Sequence, residues 1–176
     1  LNDPTTVVLD YGGNYEPRHN NFDHHQDRDL PASNILVLDA LVECEMIEDY
    51  VAERLKHKFF NYVSEVDRGK VREGVNQSVT TFNQIVRNLN TLPAGFELAL
   101  EVAKVTVESF LSQCEEESRT LDTFGSLAMA KNYAVCQNTD LLPGWEVVAE
   151  SMGINYLIQL IPRGGWQIKT RDTETV

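Results

Sequence analysis

The stretch "TTVVLDYGG" constrains the fold most: an apolar, β-branched run from Thr5 to Leu9 ends in an acid, Asp10, and passes through Tyr11 into the pair Gly12-Gly13. A run of this length without polar alternation predicts a short, fully buried strand, and the glycine pair predicts a turn directly after it. Asp10 then stands at a strand's C-terminal end. That edge is where open parallel sheets bind ligands, so the acid becomes a candidate functional residue.

The rest of the chain divides by hydrophobic period. From Pro31 a helix is expected, capped by Ser33 and carrying Ile35, Leu36, Leu38, Leu41 and Val42, and Met46 to Val66 continues as a second amphipathic helix. Residues 79–90 form a third helical stretch, closed by Leu92-Pro93. Residues 94–131 hold Phe96, Leu100, Ala103, Val107, Phe110, Leu111, Leu121, Phe124 and Leu127 at helical spacing around a solvated acidic centre at 115–118, which predicts one long helix or a helical hairpin. Strands are expected at 133–137, 154–162 and 165–171, a short helix at 142–153 ending at Gly153, and a hairpin turn at Arg163-Gly164-Gly165. The fold class is α/β, with a first domain at 1–92, a helical connector at 93–132 and a small α+β domain at 133–176. Leu1 lies almost directly before the first strand, which suggests a processed N-terminus or a piece of a longer protein.

Charge narrows the partners. With 27 acidic against 15 basic residues the net charge is −12, which argues against a broad nucleic-acid or anionic-membrane surface, although a cation can invert the local field of an acidic site. No apolar run reaches the ~18 residues of a membrane span, no signal peptide is recognisable, and three widely spaced cysteines in helix or strand interiors suit buried thiols in a reducing compartment. The cytoplasm is the expected location.

The chemistry concentrates in Asp10, Asp23, His24 and His25, with Asp67 in "SEVDRG" as a fifth donor. Carboxylates mixed with imidazoles suit Mn²⁺, Fe²⁺ or Zn²⁺ better than Mg²⁺. Two cations bridged by a carboxylate would lower the pKa of a bound water and brace both oxygens of an in-line displacement at phosphorus. From residue types alone "NNFDHHQ" reads equally well as a metal loop and as a polar turn. Arg68, Lys70 and Arg72 could clamp a phosphate, against the plainer reading of a solvated basic turn. Trp145 and Trp166 read as core packing of the tail more readily than as base-stacking platforms, His57 as surface, and His19 as a bystander. No Gly-x-Ser-x-Gly, phosphate-loop or Cys-x-x-Cys pattern occurs, which leaves serine hydrolases, P-loop nucleotide hydrolases and zinc ribbons without support.

The longer string "VVLDYGGNYEPRHNNFDHHQ", from 7 to 26, closely resembles the MYG1-type proteins of the DHH phosphoesterase superfamily, which carry a Val-Asp-x-Gly-Gly-x-Tyr-Asp-Pro segment leading to Asp-His-His-Gln. "PASNILVL", "EVDRG", "TTFNQIVRNLN" and "LPGWEVVAESMG…QLIPRGGWQIKT" continue the likeness in order along nearly the whole chain. The resemblance implies a DHH-type parallel sheet with flanking helices. It also implies a divalent-metal phosphoesterase or nuclease, Mn²⁺ above Mg²⁺ or Zn²⁺, acting on nucleotides or oligonucleotide ends. Metal ligands are implied at Asp10 (bridging), Asp23, His24, His25 and Asp67, with Asp23, His24 and His25 as the catalytic group. The family's His-x-Gly-x-x-His-x-Asp-Glu and Phe-Ile-Gly-Gly segments are not in this sequence, and "VDRG" lacks a second aspartate, so a non-catalytic or degenerate binding module is the alternative. The apolar stripe of the helical middle would suit a homodimer contact.

Overall fold

The first strand is shorter and more open than its composition suggests. The computed structural model describes residues 6–71, 81–137 and 142–171, and within it β1 is only Val8–Leu9. Val7 and Leu9 are 55% and 54% exposed, so the expected fully buried strand is corrected: β1 lies at the edge of a three-stranded sheet, with a neighbour on one side only. That neighbour is β3 (Asn21–Phe22), which pairs parallel with β1 and antiparallel with β2 (Tyr15–Glu16). The parallel pairing brings two strand ends side by side, so Asp10 and Asp23 each follow directly on one of them.

Helix α1 (Ser33–Glu43) buries Ile35, Leu36 and Leu38. Ser33 is the first residue of the helix, not its cap; its hydroxyl donates to the Phe22 carbonyl at 2.6 Å, which joins α1 to β3 instead. The second helical run begins at Asp49, not Met46. It comprises α2 (Asp49–Leu55), a π-helical turn at Lys56–Phe60 and α3 (Asn61–Asp67). A π turn interrupts the regular i→i−4 ladder, and the Asn34 amide donates to the Phe60 carbonyl at 3.0 Å. The buried Ser64 hydroxyl accepts from the Ala32 N–H at 3.0 Å, a second clamp of α1 on α3. His57 is exposed, as expected.

Helix α4 (Phe82–Leu89) starts at a capping box in which Thr81 and Gln84 satisfy each other's backbone N–H groups; residues 79 and 80 of the expected helix lie outside the described residues. Residues 94–131 resolve as one helix, α5 (Gly95–Gly125), followed by a strand, β4 (Ala128–Ala130), that helical spacing had absorbed. Alanine is a good helix former, and antiparallel pairing with β5 (Tyr133–Cys136) overrides that preference.

Two units divide the chain within α5, Leu1–Leu111 and Ser112–Val176. In the first, Phe59 packs edge-on to Phe82 and stacks on Phe110, both at 5.0 Å, which joins α4 and the middle of α5 to the π turn. In the second, β4, β5, β6 (Tyr156–Leu160) and β7 (Trp166–Thr170) form a four-stranded sheet in that order, with β5 and β6 parallel. Ala134, Cys136 and Leu157 face a dry core with Phe124 of α5 and Trp145, Val148 and Ala149 of α6 (Trp145–Ser151). The Arg163-Gly164-Gly165 turn closes the β6–β7 hairpin, with both glycines at positive φ. Trp145 is core as expected, while Trp166 is 54% exposed because it lies on the sheet's uncovered face. The acidic centre is not wholly solvated either: Glu117 is buried, its side chain lying where any Cβ on Gly144 would meet it. Cys114 and Cys136 are buried thiols, and Cys44 is exposed at the end of α1. The molecule is of mixed α/β class, and no helix among the described residues is long and apolar enough to cross a membrane.

Candidate metal centre

Three segments bring the site together. Asp10 follows β1 in a left-handed conformation (φ +56°), and its backbone N–H donates to the Phe22 carbonyl at 3.1 Å. His24 and His25 follow β3, their rings 4.6 Å apart. Asp67 is the last residue of α3, whose end is a Schellman motif: the Gly69 N–H reaches the Val66 carbonyl at 3.0 Å and the Lys70 N–H the Glu65 carbonyl at 2.8 Å, with Gly69 at φ +68°. That turn presents Asp67, Arg68 and Lys70 to one cleft.

His24 is the hub. Its Nε2 lies 3.2 Å from Asp10 Oδ1 and 3.0 Å from Asp67 Oδ2, although the three residues are far apart in sequence. The nitrogen is covered from solvent and aligned for a hydrogen bond with neither oxygen, so it is a buried polar atom without a hydrogen-bond partner. Asn21 Oδ1, Asn34 Oδ1 and Arg171 Nη1 are likewise buried without a hydrogen-bond partner among the described residues; what sets His24 Nε2 apart is the two carboxylate oxygens close beside it. Donor atoms about 3 Å apart are what neighbouring ligands of a cation with bonds of ~2.1 Å present. Asp10, His24 and His25 also each offer a ligand atom within 4.8 Å of the others'. The donor set therefore fits a divalent cation, with Asp10 and His24 common to both groupings.

Asp23 is placed differently. Its carboxylate is buried; Oδ2 accepts from the Gly13 N–H at 2.6 Å, and Oδ1 accepts from the His25 N–H at 3.0 Å and lies 2.7 Å from His25 Nδ1. The backbone donors of His25 and Gly13, in that order, hold its pKa well below the usual carboxylate range, against the opposing effect of burial. The hydrogen bond to Asp23 raises the pKa of His25, with further help from the charges of Asp10, Asp23 and Asp67. Asp23 thus fixes the orientation of His25 and ties the glycine turn to the histidine loop. Gln26 adds to this by donating from its amide to the Asp23 carbonyl at 2.9 Å.

The cleft has a volume of about 500 Å³ and is lined by His24, His25, Arg28, Asp67, Arg68 and Lys70. Sequence reading singled out all of these but Arg28, which sits in the turn after the histidines, where Asp27 Oδ1 accepts from the Asp29 N–H at 2.8 Å. A cation so close to the Asp-His-His string was a usable signal. Arg72 lies outside the described residues. His19 is exposed and pairs with Glu16 at 3.1 Å, apart from the cluster.

Comparison with protein-family models, with curated proteins and with solved structures finds no match to this chain.

Proposed function

We propose that this chain carries a divalent-metal phosphoesterase centre of the DHH type, acting on nucleotides or short oligonucleotide ends. The observation that carries the reading is the convergence of Asp10, His24 and Asp67 on one buried, unsatisfied imidazole nitrogen beside a cleft with cationic residues. The order of motifs resembling the DHH superfamily, from "VVLDYGG" through "DHHQ" to "EVDRG", agrees with it.

Asp10, His24 and Asp67 would hold the cation, with His25 as a further donor, and a mixed carboxylate and imidazole set favours Mn²⁺. When bound, the cation supplies Lewis-acid polarisation of a phosphoryl oxygen and of the attacking water. Asp23, accepting at His25 Nδ1, keeps that imidazole in one orientation as a further donor beside the cation's other ligands. Arg68 and Lys70 supply positive charge for the substrate's phosphate.

The test is Mn²⁺ binding followed by titration, together with release of nucleotides from a short oligonucleotide. Asp10→Asn and His24→Ala serve as controls. Saturable binding and turnover lost in both variants are expected. Binding without turnover would favour the non-catalytic module, and unchanged Mn²⁺ affinity in both variants would overturn the metal centre.

A further inference from the structure

We infer that Arg28, Arg68 and Lys70 form an anion subsite for a terminal, doubly charged phosphate group, distinct from the carboxylate side of the cleft. The role of this subsite in substrate selection rests on the proposed function; its capacity to bind phosphate does not.

The cations come from two segments held in register. The Arg68 guanidinium donates to the Arg28 carbonyl, which ties the turn after the histidines to the end of α3. Lys70 is fixed through its backbone by the Schellman turn. Arg28 and Lys70 are exposed, and among the described residues neither makes an ion pair with a carboxylate. Lys56, by contrast, bridges Asp39 and Glu53 at 2.8 Å each. Among the described residues that line the cleft, three cations face one carboxylate, Asp67, a positive balance opposite in sign to the molecule. Two guanidiniums and an ammonium match the charge and the several acceptor oxygens of a phosphate monoester better than the single charge of a diester. A volume of about 500 Å³ is within the range of pockets that enclose a small ligand.

The shared chemistry is a phosphomonoester, borne either by a nucleotide end or by a small phosphate ester. The experiment uses the full chain with metal removed by chelator. It measures binding of inorganic phosphate, a simple alkyl phosphate, and a dinucleotide with and without a 5′-phosphate. Saturable phosphate binding is expected, weakened at least about tenfold in Arg28→Gln/Lys70→Gln and unchanged or tightened in Asp67→Asn. The phosphorylated dinucleotide should bind at least about tenfold more tightly than its unphosphorylated counterpart. Whichever ester competes better with inorganic phosphate identifies the source. Absence of phosphate binding by the unaltered chain, undiminished binding by the double variant, or equal binding of the two dinucleotides would each overturn the subsite. Failure of the metal reading shows separately, as Mn²⁺ affinity that Asp10→Asn leaves unaltered while phosphate binding persists.

Discussion

The loop segment from residue 8 to 33 and the four-stranded sheet near the C-terminal end are ordered by opposite means. The first has two-residue strands and takes its shape from directional polar contacts, with Asp23, Gln26 and Ser33 each bonded to backbone. The second is ordered by exclusion of water: Phe124, Ala134, Cys136, Val148, Ala149 and Leu157 are all 0% exposed. Directional contacts fix where a charge points but add modest net stability, whereas apolar burial adds stability without specifying chemistry. A site is built from the first kind and anchored by the second.

That contrast breaks most visibly at Leu157. Leu157→Ala opens a void in a core with no exposed face, and unfolding measured with urea should show a loss of about 2–5 kcal/mol with Mn²⁺ affinity unchanged. The converse is His24→Ala. Loss of a direct ligand should exceed the 10–100-fold effect of removing a supporting residue, so Mn²⁺ affinity is expected to fall by more than about a hundredfold while the folding transition of the sheet stays in place.

Gly69→Ala tests the turn that joins the two kinds of order. Nothing lies within 4 Å of the added Cβ, so the effect is the left-handed backbone alone, about 1–2 kcal/mol by thermal unfolding, together with weaker Mn²⁺ binding as Asp67 shifts. The smallest effect at neutral pH is in the acid response of the metal-free protein. Because the folded pKa of Asp23 lies below its unfolded value of roughly 3.9, its stabilisation is complete above that pH and is lost as the pH falls through the folded value. His25 has the opposite sign: its raised pKa stabilises below roughly 6.5 and that share is lost as pH rises through the folded value. Asp23→Asn should flatten both limbs, and an unchanged stability profile from pH 3 to 8, followed by circular dichroism, would refute the role of Asp23 as organiser.

The element order was legible because it rests on short-range rules. Helical spacing marked α1, α4 and α5, and the glycine pair after Arg163 marked the β6–β7 turn. The strands β2 and β3 were not legible: each is only two residues long, one aromatic and one polar, too short to show a period, and they exist only by pairing with each other and with β1. β4 was hidden for the same reason, since its alanines satisfy a helix until β5 is placed beside them.

By itself the sequence determined which donors are available, Asp10, Asp23, His24, His25 and Asp67, and that the first of them ends a strand. Side-chain chemistry and local period are properties of neighbouring residues and can be read along the chain. Tertiary structure decided how the donors divide, with Asp10 and Asp67 reaching His24 while Asp23 turns to Gly13 and His25. It also decided that Arg28 joins the cleft, that Ser33 serves β3 instead of its own helix, and that Trp166 stays on an open face. Each of these depends on an atom supplied by a distant segment, through the parallel pairing of β1 with β3 and the clamps of α1 on α3.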